Sequence, residues 1–138
     1  MQVYIAARYT RKEEMKEVRE TLAREGIIST SSWLEEPHSA TTQLTELEDH
    51  LNEEYAQVDL RDIDRADHIL FFSETGLTPR GGRHVEFGYG LGAGKQIHVV
   101  GERENIFHYL RDRVTIHATL EDYVTYMRES FAEAENLL

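Results

Sequence analysis

Glu86 is the residue whose type and setting most readily do chemistry in this chain. It lies in Thr78-Pro79-Arg80-Gly81-Gly82-Arg83-His84-Val85-Glu86-Phe87-Gly88-Tyr89-Gly90-Leu91-Gly92-Ala93-Gly94-Lys95, which reads as a glycine turn running into a helix over residues 80–94. Gly81-Gly82 permits a tight positive-φ turn and close ligand approach, and the backbone N–H groups that follow offer an anion site. Gly82 and His84 are therefore candidate ligand contacts. Glu86 is expected in the first helical turn, where the helix dipole favours its ionised form by a few tenths to about 1 kcal/mol. An ionised carboxylate there can attack a sugar carbon covalently or stabilise an oxocarbenium-like centre. The plainer alternative is a glutamate that only complements the dipole. Gly88 and Gly92 fall on one line of this helix and Gly90 and Gly94 on another. Each interior glycine costs about 1 kcal/mol against alanine, so close packing against a sheet or a partner helix is expected.

The elements that must hold this segment follow from periodicity. Val3-Tyr4-Ile5-Ala6-Ala7 reads as a central strand buried on both faces. Met15, Val18, Leu22 and Ala23 give a helix over residues 11–25, stopped by Gly26. Residues 27–34 are extended in character, and Glu35-Glu36-Pro37-His38-Ser39 ends them. Leu44, Leu47, Leu51, Tyr55 and Val58 predict a helix from about residue 42 to 66, some six or seven turns. Its surplus length suits a helix-mediated homodimer as well as it suits a long solvated helix. Residues 67–73 and 96–101 read as buried strands, 103–111 as a short helix, 114–117 as a short strand and 120–136 as a closing amphipathic helix. This alternation predicts a single α/β domain over residues 1–138. It is a three-layer open parallel sheet of about five strands, flavodoxin-like or Rossmann-like, with its ligand at the carboxyl ends of the strands.

Composition narrows the partners. A chain of 138 residues with 40% hydrophobic content can bury a core unaided, and having no cysteine it has no thiolate, disulfide or cysteine-bound metal. Fifteen Lys plus Arg against 26 Asp plus Glu give a net charge of -11, which repels nucleic-acid backbones. A small anionic ligand stays open, because arginines and helix N-termini act locally beneath a charge screened beyond about 8–10 Å. No apolar run approaches the roughly 20 residues of a membrane span, and a cytoplasmic protein without metal or cofactor is expected. His68 and His98 read as core or edge histidines, because no two of His68, His84 and His98 share a helix at metal-ligand spacing. Trp33 could stack on a base or fill the core, and Asp62, Asp64 and Asp67 read as helix solvation and a turn.

The order of these pieces resembles the nucleoside 2-deoxyribosyltransferases and the related deoxynucleoside 5'-monophosphate N-glycosidases. The resemblance covers roughly residues 2–101 and rests on Val3-Tyr4-Ile5-Ala6-Ala7, Asp59-Leu60-Arg61, Ala66-Asp67 before an apolar strand, the glycine turn, Glu86-Phe87-Gly88-Tyr89 and Gly94-Lys95. It implies that Glu86 is the nucleophile forming a glycosyl-enzyme intermediate, that Tyr4 orients it, and that Asp59 assists near the sugar and the leaving base. It also implies a small-molecule nucleoside or nucleotide as partner and a homodimer or higher homo-oligomer.

One position departs from the pattern. Six residues before the glutamate the transferases carry an aspartate and the nucleotide hydrolases a serine, whereas this chain has Arg80. Arg80, with Arg83 and with Ala7-Arg8 at the end of the first strand, would suit a 5'-phosphate, which guanidinium groups bind in bidentate fashion. The same departure fits a nucleotide-binding module that has lost turnover. The cytokinin-activating phosphoribohydrolases also place a glutamate after a glycine turn, but Thr-Pro-Arg-Gly-Gly-Arg-His lacks the Gly-Thr that ends their signature. A dinucleotide fingerprint is missing after the first strand, where Ala-Arg-Tyr-Thr stands.

Overall fold

The computed structural model describes residues 1–37, 47–76 and 81–137. Five parallel strands, β1 (Gln2–Ala6), β2 (Ile28–Ser29), β3 (His68–Phe72), β4 (Gln96–Val100) and β5 (Val114–His117), form one sheet in the order β2-β1-β3-β4-β5. Four α-helices stand among the described residues: α1 (Lys12–Arg24), α2 (Asp49–Arg65), α3 (Gly82–Gly92) and α4 (Leu120–Asn136). The three-layer parallel α/β architecture expected from the sequence is the one observed. Its strand order reverses direction between β1 and β3, where open sheets of this kind leave a crevice at the carboxyl edge.

Burial explains why these segments are strands. All five residues of β3 and four of the five in β1 are buried, as expected when helices cover both faces of a parallel sheet. Tyr4 pairs with Ile69, and Ala6 with Phe71. Tyr4, Ile69 and Phe71 face α2 and α3, as the contacts of Tyr4 with Glu86 and of Phe71 with Phe87 require. His68 and His98 face α4, where Tyr123 meets both rings. On that side Arg128 of α4 pairs with Glu25 at the end of α1, tying the two helices of the layer together.

The helices follow their apolar spacing. Met15, Val18 and Leu22 bury one stripe of α1, and Gly26, at φ 77°, ends it. Thr119 caps α4 by accepting from the Asp122 N–H, and Tyr123, Val124 and Met127 are its buried face. Gly90 of α3 lies against β3: a Cβ there would collide with the Ile69 side chain. Gly88 and Gly92 face open space, so packing against the sheet accounts for Gly90 and not for them.

Three expected elements differ. Strand β2 is only Ile28–Ser29, after which a 3₁₀ turn forms over Ser32–Glu35. The Ile5 N–H donates to Ser31 Oγ and Trp33 Nε1 donates to the Ile5 carbonyl, so side chains replace the ladder that a longer strand would have made. Helix α2 has 17 residues and starts at Asp49, with Leu47 and Glu48 outside it, and not the six or seven turns read from leucine spacing. Positions 42–46 of that expectation lie outside the described residues. The expected short helix over 103–111 is a 3₁₀ turn at Ile106–Tyr109.

Candidate active site

The site forms where β1 and β3 part. Tyr4, fully buried in the middle of β1, aims its ring at α3, and its hydroxyl donates to Glu86 Oε2. Helix α3 begins at Gly82, after Gly81 in the left-handed region at φ 73°. Glu86 is therefore past the first turn, which contains no acidic residue. The dipole effect fades within that turn. Burial governs the carboxyl instead, and pushes its pKa up to about 8. The expected place of Glu86 in the first turn is thus corrected, and burial, not the dipole, acts on its carboxyl and favours the neutral form.

Asp59 lies on α2, with Glu36, Asp62 and Tyr9 as its titratable neighbours. Burial, then the neighbouring carboxylates Glu36 and Asp62, push its pKa up to about 7. Its Oδ1 is buried and accepts no hydrogen bond. Asp62, one turn on, is one of the three aspartates read as solvation. It is buried, accepting from the Ser32 N–H at 2.8 Å and from Arg65 at 2.6 Å. Asp64 accepts from the Tyr89 hydroxyl and Asp67 from the Gln2 N–H, so both join elements together.

The remaining sequence candidates separate. Ala7 is buried beyond the end of β1, and Arg8 follows it half-buried, its carbonyl accepting from the Arg11 N–H. Gly82 is exposed at the start of α3. His84 is half-buried, with its ring 5.9 Å from Phe71, its Nε2 3.8 Å from Glu104, and its Nδ1 buried without a hydrogen-bond partner. Arg83 is 5% exposed; it donates to the Phe72 carbonyl and to both oxygens of Glu104, at 2.8 and 3.0 Å, and its guanidinium lies 4.9 Å above the Phe71 ring. Although burial acts to raise it, the Glu104 pKa is lowered by Arg83. Arg83 thus braces the end of β3 against the segment that follows β4 through groups of the protein itself. Arg80 lies outside the described residues.

Sequence reading missed Glu36 and its neighbours. Lys12 Nζ donates to the Glu36 carbonyl and, at 3.1 Å, to the Tyr9 hydroxyl. Burial lifts the Glu36 carboxyl to about 7 and the Tyr9 phenol to about 12. The acidic pair Glu35-Glu36 after β2 was the available signal, and it read as a chain terminator. Trp33 is buried 5.7 Å from Tyr9, a wall of this region. A cavity at the ends of β4 and β5, lined by Gly101, Arg103 and Tyr109, includes none of Tyr4, Asp59 and Glu86.

On the far face, His68 Nε2 lies 2.6 Å from the Tyr123 hydroxyl and His98 Nδ1 lies 2.9 Å from His117 Nε2. Burial lowers their pKa values, to about 4 for His68 and about 3 for His98. No group of three or more His, Asp or Glu side chains able to hold a metal ion occurs among the described residues. No described helix is long and apolar enough to cross a membrane.

No family model matches the chain, and no curated protein matches it. Several solved structures do, among them the following two. The CMP N-glycosidase of Clostridium botulinum superposes with a TM-score of 0.61 at 16% identity, over 93% of this chain and 99% of that one. The 2-deoxyribosyltransferase of Bacillus psychrosaccharolyticus superposes with a TM-score of 0.65 at 18% identity, over 90% of each chain. At such identity the likeness is one of backbone, and what it establishes is that this chain adopts, over nearly its whole length, the fold shared by an N-glycosidase and a 2-deoxyribosyltransferase.

Proposed function

We propose that this protein is an enzyme that cleaves or transfers the N-glycosidic bond of a nucleoside or its 5'-monophosphate, with Glu86 as nucleophile. The observation that carries the reading is the hydrogen bond from Tyr4, in the middle of β1, to Glu86 on α3, beside the point where strand order reverses. Tyr4 fixes the carboxyl so that Oε1 is the oxygen left to meet C1'. The C1'–N bond breaks as the Glu86–C1' ester forms, and the base nitrogen keeps the electron pair and takes a proton from Asp59. Water, or a second base, then displaces Glu86 from C1' and returns a proton to Asp59. The folds of a CMP N-glycosidase and a 2-deoxyribosyltransferase support this substrate class. Arg8 at the end of β1 and Arg80 are the cations we assign to a 5'-phosphate, Gly82 and His84 line its approach, and Arg83 supports the site from beneath. The working unit we expect is a cytoplasmic homodimer.

The test is chromatography of free base released from ribo- and deoxynucleosides and their 5'-monophosphates, with and without an acceptor base. Wild type is expected to release base, and Glu86→Ala to release none. A nucleotide-binding module without turnover is the second reading, favoured by the burial that raises the Glu86 pKa to about 8 and so opposes its ionisation. Tight nucleotide binding with no release even at pH 9 would establish that alternative.

A further inference from the structure

The cavity at the carboxyl ends of β4 and β5 has a volume of about 540 Å³ and is lined by Gly101, Glu102, Arg103, Tyr109, Ile116 and Ala118. That volume is the size of a small-molecule site, and the carboxyl edge is where parallel sheets take their ligands. The Arg103 guanidinium lies 4.7 Å from the centroid of the Tyr109 ring and makes no ion pair among the described residues. By contrast, Arg83 is held by Glu104, and Arg113 by the Leu91 and Lys95 carbonyls. Tyr109 is 64% exposed, so most of its ring surface has no protein packed on it.

The walls of this cavity are built in. Gly101, at φ 115°, donates its N–H to the His117 carbonyl at 2.8 Å and so joins the ends of β4 and β5. Ser73 Oγ donates to the Glu102 carbonyl. Asn105 Oδ1 accepts from the Phe107 N–H. His108, 1% exposed, accepts the Glu104 N–H at Nδ1, and its ring packs 5.2 Å from Phe71 and 4.8 Å from Phe87. The segment carrying Arg103 and Tyr109 is thus pinned to β3 and α3, and little of the binding energy of a ligand goes into ordering it.

We propose that this cavity is a second ligand site, separate from that of Tyr4 and Glu86, for a small aromatic anion: Arg103 takes its phosphate or carboxylate, and Tyr109, Ile116 and Ala118 take its ring. A guanidinium meets such an oxyanion with two parallel N–H···O bonds, and stacking on a tyrosine leaves the N–H edge that makes them free. Ile116 and Ala118 supply the apolar surface on which a flat ring rests. Glu102, the acid among the lining residues, repels the anionic end and so directs it to Arg103. The site stands whether or not Glu86 cleaves a glycosidic bond.

The experiment is a proton–nitrogen NMR titration of the full chain with phenyl phosphate, benzoate, inorganic phosphate and phenol. Phenyl phosphate, benzoate or both are expected to shift the Gly101, Arg103 and Ala118 amides saturably at millimolar concentrations, and the tighter of the two identifies the oxyanion. Inorganic phosphate and phenol, each lacking half of the ligand, should bind about tenfold more weakly than that probe. Arg103→Gln should weaken the aromatic anion about tenfold, and Tyr109→Ser should weaken it while leaving inorganic phosphate unchanged. Glu86→Gln should bind it as wild type does. Equal binding of inorganic phosphate and phenyl phosphate, an unchanged affinity in Arg103→Gln, or shifts centred on Tyr4 and Glu86 each overturn the proposal, as does the absence of any shift. Should a variant not fold, the comparison of the four probes on wild type and the map of shifted amides decide alone.

Discussion

Tyr4 and Glu86 are 82 positions apart in sequence, yet the tyrosine hydroxyl, held rigidly in the centre of the sheet, donates directly to the glutamate carboxyl on α3. A strand residue with no exposure therefore sets the geometry of a helix residue at the crevice. Tyr4→Phe is expected to lower kcat about 10- to 100-fold while KM changes little, since the ring keeps its packing and only the orienting donor is lost. Steady-state kinetics at a single pH checks this, and a rise in KM alone would count against an orienting role.

The pH dependence follows from the two acids. Glu86 must be ionised to attack and Asp59 protonated to give its proton, while their pKa values are about 8 and about 7. Activity is expected as a bell centred between them, with about one molecule in twenty in the competent state at its maximum. Nucleotide binding that assists ionisation of Glu86 would shift the acid limb of kcat below that of kcat/KM, and the two profiles measured together test this.

Stability should respond to pH with opposite signs on the two faces of the sheet. The pKa of Glu86 is raised in the folded chain, so its contribution is complete below the ordinary carboxylate range and is lost as pH climbs through about 8. Those of His68 and His98 are lowered, so their contribution is complete above the ordinary imidazole range and is lost as pH falls towards 4 and 3. Melting curves should show Glu86→Gln gaining several degrees over wild type at pH 9 and nothing at pH 5. Below pH 6 both proteins should weaken together.

Gly90 and Gly88 make a controlled pair. Gly90→Ala drives a methyl into Ile69, fully buried in β3, and should cost about 1–3 kcal/mol by overpacking. Gly88→Ala meets open space and should gain up to about 1 kcal/mol from helix propensity. Urea denaturation of the two variants measures the difference.

Arg83→Leu leaves Glu104, 13% exposed, without its guanidinium partner and should destabilise the fold by about 3–5 kcal/mol. Double replacement with Glu104→Gln should recover much of that loss. Recovery of stability together with base release would assign Arg83 a supporting role, and a persistent rise in KM for monophosphates would assign it a ligand.

The sheet was legible because β1, β3 and β4 are predominantly apolar, and a parallel sheet buried on both faces demands such runs. The close of β2 was not, because its backbone groups are satisfied by Ser31 and Trp33 side chains, whose pairing with Ile5 depends on a neighbour 26–28 positions away. Glu86 and Tyr4 could be singled out by their neighbours in sequence. The state of Glu86 could not, since it reflects the tertiary depth of α3 and not its place along the helix. Glu36 passed unnoticed for a related reason: an acidic pair after a strand looks like a solvated turn until α2 arrives beside it.

The alternation along β3 has one more consequence. Ile69 and Phe71 turn towards the carboxyl chemistry, while His68 turns towards a layer of imidazoles and phenols under α4. The strand is thus an insulating partition one residue thick, separating Glu86, which favours its proton, from His68 and His98, which refuse theirs. The two populations can be retuned independently, because a change under α4 reaches Glu86 only through the apolar septum between them.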